Sequence, residues 1–564
     1  MLLCFTTHFL PLFSFEHSFS IKDSVSSIRK MKNALVFSGQ GTHRKGMCMS
    51  LVSNPAVAEV WDRMKERMMS NYGISLQEII QENPRKVLTR ADAFHVEEVC
   101  KRSCTELLYT QESTQRAHSV THAEGVMQYT FFTQPCVLAA QLLAFTKLQH
   151  DFPQVCNRQI NCIAGHSLGE FTALTALGLF SPETAVDLTF KRGLLMEEAC
   201  KGVRRGDWKL YACNPQRAQL DIDNESADRL FVSLVELIAT ALAHTSSFIE
   251  VVNNNLRHQQ YVVAGDLVGL AVLGKCLDPQ FRANCEGIED LEGIVGQALT
   301  SVQMDKKDGI PKDPNASSDA EFATTATKKY GSRAAFRRFL KGADDGYTPS
   351  LEELTHLTLQ EDGRSGLKRK SWFLPLTVEV PFHSSRLQRA MDQFLPVVRS
   401  ALPAEAALRE FFSLSSKGAL DRENRKFPLW VTNLTGKTFN PFDKNFQEAA
   451  LNAMQKLNVG EVRHNGRYHS TLVADTFKDG LNHGSVREMA AAVLAAQLAH
   501  PVQWITVMDE LVVENGCTRI QEISPQKNLS GIFQRASFRR GDSNQSSIVV
   551  TASYPTELPL FAAR

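Results

Sequence analysis

At 564 residues the chain is long enough for two or three ordinary domains, and its 43% hydrophobic and 22% charged composition is the balance of a globular protein with a large core. The 62 basic and 61 acidic side chains leave a formal net charge of +1, which excludes a general attraction to nucleic acid or anionic membranes. Any charged partner must therefore be met by a local patch. The 12 cysteines run from Cys4 to Cys517 without paired spacing. Cys100 and Cys104 have no second pair to complete a zinc site and read as one face of a helical turn, so reduced intracellular thiols and no bound metal are expected.

Residues 1–30 read as a leader or a non-structural extension. Their apolar start, MLLCFTTHFLPLFSF, is interrupted by His8, Pro11 and Glu16 before it reaches the ~18 residues of a membrane span. It also lacks the basic start of a secretory signal and most arginines of a transit peptide. No membrane span is expected. Asn33 to Ser38 then forms a short apolar run ending in Gly39-Gln40-Gly41, the pattern of a buried strand that leads into a loop. A helix is expected at Ala56 to Met69. The polar stretch 92–128 reads as an insertion, and Thr133-Gln134-Pro135 opens a helix through Lys147.

A second apolar strand, Gln159 to Ala164, turns at Gly165-His166-Ser167-Leu168-Gly169 into a helix, Glu170 to Leu179. Ser181-Pro182 starts another that runs to Ala199. From Trp208 the pattern changes to strand (to Ala212), helix (Ala227 to Leu242), two strands (Phe248 to Asn253 and Gln260 to Ala264), helix (Leu267 to Leu277) and strand (Phe373 to Val380). Two βαβ-like halves of this kind make a small ferredoxin-like subdomain over 206–380, with a polar insertion at 278–370 holding one helix near Arg333 to Leu340. The chain returns with strands at Leu429 to Asn433 and Arg519 to Ile523, an insertion near 437–485 and a helix from Val486 to Leu498. The expected fold is α/β: a hydrolase-like parallel-sheet core built from 31–205 and 381–564, with a nucleophile elbow, the ferredoxin-like subdomain and polar insertions.

Gly165-His166-Ser167-Leu168-Gly169 fits a nucleophile elbow, in which glycines relieve crowding at a tight strand-to-helix turn and leave the serine hydroxyl exposed. By itself the pattern is equally a glycine-lined turn. The fuller string, Ile163-Ala164-Gly165-His166-Ser167-Leu168-Gly169-Glu170, resembles the active-site signature of malonyl-CoA:acyl carrier protein transacylases and of the acyltransferase domains of fatty acid and polyketide synthases. Further landmarks stand in that family's order. They are Phe37-Ser38-Gly39-Gln40-Gly41-Thr42, Thr133-Gln134-Pro135, Arg192-Gly193 with Met196, Asn253 and Asn255 with Val263-Ala264-Gly265, Val380-Pro381-Phe382-His383, and Gln497 with Pro501-Val502-Gln503-Trp504. His43 and Ile523-Ser524-Pro525-Gln526 depart from it, standing where a glutamine and a glycine-rich turn are usual.

The resemblance implies that Ser167 attacks an acyl thioester and carries a malonyl ester to the thiol of an acyl carrier protein, supplying fatty acid synthesis. His383 is then the general base, oriented by the main-chain carbonyl of Gln497, and the Gln40 and Leu168 amides form the oxyanion hole. Arg192 is the carboxylate clamp that distinguishes malonyl from acetyl. His166, Phe382 and Asn253 are the remaining substrate-side residues. Phe382 either narrows the pocket or simply packs, and Asn253 either lines the site or caps a strand end.

Malonyl-CoA enters as substrate and no metal, flavin or other cofactor is implied. An acidic carrier calls for a basic rim, with Arg204, Arg205, Arg535, Arg539 and Arg540 as candidates. Asn253, Asn255 and Gln259 to Gly265 also resemble the malonyl/palmitoyl transferase domain of fungal-type synthases, which leaves acyl breadth open. Two other readings compete: a serine hydrolase or patatin-like lipase, which shares the elbow, and an inactive scaffold of a synthase. The compartment expected is the mitochondrial matrix, with the cytoplasm as alternative.

Overall fold

Strand β1 (Lys32–Phe37) alternates between two cores, as side chains in a pleated strand must. Leu35 and Phe37 face one apolar cluster with Ile163, and Ala34 and Val36 face another with Cys162 and Ala164. A strand buried on both faces belongs inside a parallel sheet covered by helices on each side. The computed structural model bears this out; it describes residues 32–104, 117–203, 207–220, 227–243, 245, 247–285, 291–304, 372–376, 378, 380–416, 427–456, 470–538 and 549–560. Residues 1–30, the Arg333 to Leu340 helix and most of 278–370 lie outside the described residues.

The strands after β1, in chain order, are β2 (Lys86–Arg90), β3 (Ala117–Thr121), β4 (Ile160–Gly165), β5 (Trp208–Cys213), β6 (Ile249–Leu256), β7 (Gln260–Asp266), β8 (Phe373–Pro375), β9 (Leu429–Val431), β10 (Cys517–Ile523) and β11 (Val550–Tyr554). The main sheet has order β11-β10-β1-β4-β9 and every pairing in it is parallel. Phe37 stands opposite Gly165, so the loops leaving β1 and β4 emerge side by side at the carboxyl edge. That edge is where open parallel sheets bind ligands.

The second sheet has order β6-β7-β5-β8 and is antiparallel throughout. With the Ala227–Ala241 helix between β5 and β6, and Leu267–Leu277 between β7 and β8, this is the ferredoxin-like arrangement expected from the sequence. Its last strand is shorter than expected and stops at Pro375, which an edge strand tolerates because no ladder bond needs its missing N–H.

Three stretches expected as polar insertions contain packed elements. Residues 92–128 are no bare loop: β3 lies within them and pairs with β2 as a hairpin, and Val99, Cys104, Val126 and Met127 are buried in the main core. Within 437–485, the helices Lys444–Gln455 and Leu472–His483 bury Phe446, Ala450, Met454, Val473 and Phe477. Beyond residue 278, the Leu291–Met304 helix adds Val295, Ala298, Leu299 and Val302 to the subdomain core. Helix ends agree with expectation to within four residues, the largest difference being Asp151 against the expected Lys147. Ser181, whose hydroxyl accepts from the Thr184 N–H, caps the Pro182–Glu198 helix as its Ser-Pro start suggested.

Among the described residues one helix, Thr130–Asp151, is long and apolar enough to cross a membrane, but 83% of its apolar stretch is buried inside the fold. It packs along Pro182–Glu198, and Gly193 makes the approach possible: a Cβ there would stand 2.6 Å from Phe131 Cα. All 11 cysteines among the described residues are free, and these residues contain no cluster able to hold a metal ion.

Candidate active site

β4 ends at Gly165, and the chain reverses into the Gly169–Ala176 helix within three residues. The turn tolerates nothing larger at its ends. A Cβ on Gly165 would lie 1.9 Å from the Gly169 carbonyl carbon, and one on Gly169 would lie 2.2 Å from the Phe37 oxygen. Between them Ser167 has φ 53°, the left-handed region that costs a non-glycine residue roughly 1–2 kcal/mol. Three contacts hold it there. The His166 N–H donates to the Phe37 carbonyl at 2.8 Å, the Ser167 N–H donates to Asn433 Oδ1 at 2.8 Å, and the Asn433 side-chain amide donates back to the Gly165 carbonyl. Asn433 follows β9, so the neighbouring strand braces the turn.

His383 comes from the segment after the subdomain and also has a positive φ, 62°. Its Nε2 lies 2.7 Å from Ser167 Oγ, while Nδ1 lies 2.6 Å from the main-chain oxygen of Gln497. The ring can therefore donate from Nδ1 to the carbonyl and keep Nε2 free to accept the serine proton. The His383 main-chain N–H donates to the Leu498 carbonyl at 3.1 Å. The next turn is tied to the subdomain, where Glu250 on β6 accepts from the Ser385 N–H at 2.7 Å and from its hydroxyl. Burial, then the Arg192 charge, pushes the His383 imidazole down to about 3, which keeps it in the neutral, proton-accepting form.

Arg192 lies on the Pro182–Glu198 helix and is 1% exposed. Its Nη2 is 3.3 Å from Ser167 Oγ and 2.9 Å from Gln497 Oε1, and its buried Nε has no hydrogen-bond partner. Burial pulls the guanidinium down to about 9, opposed by the charge of Glu170. Glu170 is itself fully buried; burial pushes its carboxyl up to about 7, opposed by donors from Asn433 and Trp430 and by Arg192. Ser167 remains half-buried and reachable, so two compensating charges stand behind an accessible hydroxyl.

The structure thus brings Ser167, His383, Gln497 and Arg192 together. Gln40 lies in the loop after β1 and Leu168 just beyond the serine; among the described residues neither main-chain N–H has an acceptor. The Gln40 side chain accepts from Gln134 Nε2 at 3.4 Å. His166 Nε2 is 2.9 Å from Asn255 Oδ1, and burial lowers its basicity. Phe382 is buried beside the base, its ring 6.5 Å from the His383 ring.

Asn253 is the exception. It is buried on β6 and bridges to Val502, and among the described residues no hydrogen bond joins it to the Ser167 group. Register shifts flank this part of β6, and the contact to the signature falls two residues on, at Asn255. At the departure near the C-terminus, Ser524 Oγ meets Ser38 Oγ at 2.6 Å and so ties β10 to the loop after β1. Of the basic-rim candidates, Arg535 is exposed, whereas Arg204, Arg205, Arg539 and Arg540 lie outside the described residues.

Asn433, Glu170, Glu250 and Trp430 did not emerge from the sequence as site residues. Glu170 sits inside the quoted signature, but only its distant partners reveal what it does. Asn433 and Trp430 are 263 and 260 residues away from it.

Residues 34–223 match the acyl transferase domain family. The fatty acid synthase subunit beta of Schizosaccharomyces pombe is 32% identical over 447 residues, which is 75% of this chain and 18% of that protein. A fatty acid synthase beta subunit of Emericella nidulans is 28% identical over 458 residues, 78% of this chain and 18% of the relative. The chain therefore spans less than a fifth of the length of these curated relatives. Among solved structures, an acyl carrier protein S-malonyltransferase from Vibrio cholerae aligns at 18% identity with a TM-score of 0.44, covering 94% of this chain and 100% of the other.

Proposed function

We propose that the chain moves a malonyl group from malonyl-CoA to the phosphopantetheine thiol of an acyl carrier protein through an ester on Ser167. The observation that carries this reading is Arg192, a buried guanidinium 3.3 Å from the serine hydroxyl with an unpartnered Nε. An acyl group ending in a carboxylate meets that cation with paired, charge-assisted hydrogen bonds, and an acetyl group offers nothing in return.

In the proposed cycle Ser167 Oγ attacks the thioester carbonyl as its proton passes to His383 Nε2. The Gln40 and Leu168 amides hold the resulting oxyanion. Collapse breaks the carbon–sulfur bond, and the imidazolium returns the proton to the departing coenzyme A thiolate. The carrier thiol then gives its proton to His383, attacks the ester and leaves with the malonyl group, while Ser167 recovers its proton. No metal or other cofactor takes part. His383 leans on a main-chain carbonyl, which supplies orientation without the carboxylate of a hydrolase triad.

Arg192→Ala is the test. Stopped-flow acylation with malonyl-CoA and acetyl-CoA should show kcat/KM for malonyl falling at least about 100-fold, with acetyl changed by less than about fivefold. Equal losses for both substrates would overturn the assignment, and rapid release of free acid without carrier labelling would favour a hydrolase.

A further inference from the structure

Gln497 serves the site twice. Its main-chain oxygen orients His383, while its side-chain amide sits between two buried charges: Oε1 accepts from Arg192 Nη2 at 2.9 Å, and Nε2 donates to Glu170 Oε2 at 2.8 Å. A carboxamide has a donor end and an acceptor end, and which way it points is decided by its neighbours. A guanidinium only donates and a carboxylate only accepts, so Glu170 on one side fixes the amide in the sense that offers oxygen to Arg192.

Glu170 is held in turn. Its Oε1 accepts from Trp430 Nε1 at 3.1 Å and from the Asn433 N–H at 3.0 Å. Asn433 also accepts from the Ser167 N–H. Glu170, Arg192 and Gln497 are each 0–1% exposed, so an uncompensated guanidinium charge here would be strongly unfavourable. Glu170 supplies the compensation across the amide, without occupying the side of Arg192 that faces the serine.

We infer that Glu170 is a positioning and specificity-determining residue: through the Gln497 side chain it holds the Arg192 guanidinium where a carboxylate-bearing acyl group needs it, and acyl groups without a carboxylate do not depend on it. The inference rests on the malonyl reading of Arg192. Glu170→Gln isolates the effect. Its amide oxygen still accepts from Trp430 and Asn433, but its NH2 opposes Gln497 Nε2, and rotating the Gln497 amide to escape turns a donor toward Arg192. Gln497→Met removes the bridge from the other side while leaving the carbonyl on which His383 rests.

Acylation kinetics with malonyl-CoA and acetyl-CoA test this in both variants, in their double mutant and in Arg192→Ala. In Glu170→Gln, KM for malonyl-CoA should rise at least about tenfold while acetyl kcat/KM changes by less than about twofold; in Gln497→Met, at the residue whose carbonyl serves His383 for both substrates, the malonyl-to-acetyl ratio of kcat/KM should fall at least about tenfold. The double mutant should be no more selective in its loss than Gln497→Met alone, because both substitutions cut one connection. Equal losses for the two substrates, or an unchanged malonyl-to-acetyl ratio while Arg192→Ala collapses it, would overturn the role of Glu170 and leave the proposed function standing. An unchanged ratio in Arg192→Ala would overturn the proposed function itself. Should Glu170→Gln not fold, Gln497→Met decides by the same criterion.

Discussion

Ser167 and His383 both occupy left-handed backbone and meet across 2.7 Å, yet they are held there by opposite means. The serine turn has its shape set locally, because Gly165 and Gly169 give it room and strand β4 and the helix after it fix its direction, while the Phe37 carbonyl and Asn433 brace it. The histidine turn is built from a distance, by the Gln497 and Leu498 carbonyls and by Glu250 of the subdomain. The shape of one half of the site is therefore legible in five consecutive residues, braced by neighbouring strands of one sheet, and the other half exists only once both sheets have formed.

The comparison can be broken first at the serine. Ser167→Ala should abolish the acyl adduct and lower transfer roughly 10⁴-fold or more, with an unchanged melting temperature, because the turn does not depend on the hydroxyl. Gly165→Ala should instead destroy the turn itself, since its methyl would stand 1.9 Å from Gly169; the expected destabilisation is roughly 3 kcal/mol or more, read by denaturant melting.

On the histidine side, Glu250→Ala leaves the Ser385 N–H and hydroxyl without their acceptor. Acylation should fall about tenfold for malonyl and acetyl alike, in contrast to the selective loss expected at Glu170.

The smallest expected effect is in pH dependence. Burial and Arg192 hold the His383 pKa below its unfolded value of 6.5, at about 3. The neutral ring's contribution to stability is therefore complete above 6.5 and is lost as pH falls from there toward 3. With acetyl-CoA, which does not depend on Glu170, the acylation rate should accordingly show no acid limb near pH 6.5, and Arg192→Ala should move the limb upward by removing one of the two causes.

The same division explains what the sequence made legible. The parallel sheet, the ferredoxin-like sheet and the serine turn follow from short apolar runs and glycines, all local signals. Gln497 and Arg192 required a resemblance, because nothing in their own neighbourhoods separates them from other helix residues. Glu170 and Asn433 were not found as partners at all, since their meaning lies in contacts across 263 residues. Part of what read as insertion was readable in principle. Phe446, Ala450 and Met454 are spaced four apart, and Val295, Ala298, Leu299 and Val302 follow the stripe of a helix, but the polar residues around them hid the period. The β2–β3 hairpin is harder, because its five-residue strands carry exposed polar residues and give only a weak alternation.

The most direct test of the account is the intact mass of the protein after brief incubation with malonyl-CoA or acetyl-CoA, before and after adding phosphopantetheinylated acyl carrier protein. A malonyl adduct that is absent in Ser167→Ala and passes to the carrier is the expected result. An acetyl adduct alone, or a malonyl adduct lost to water and never to the carrier, would contradict it.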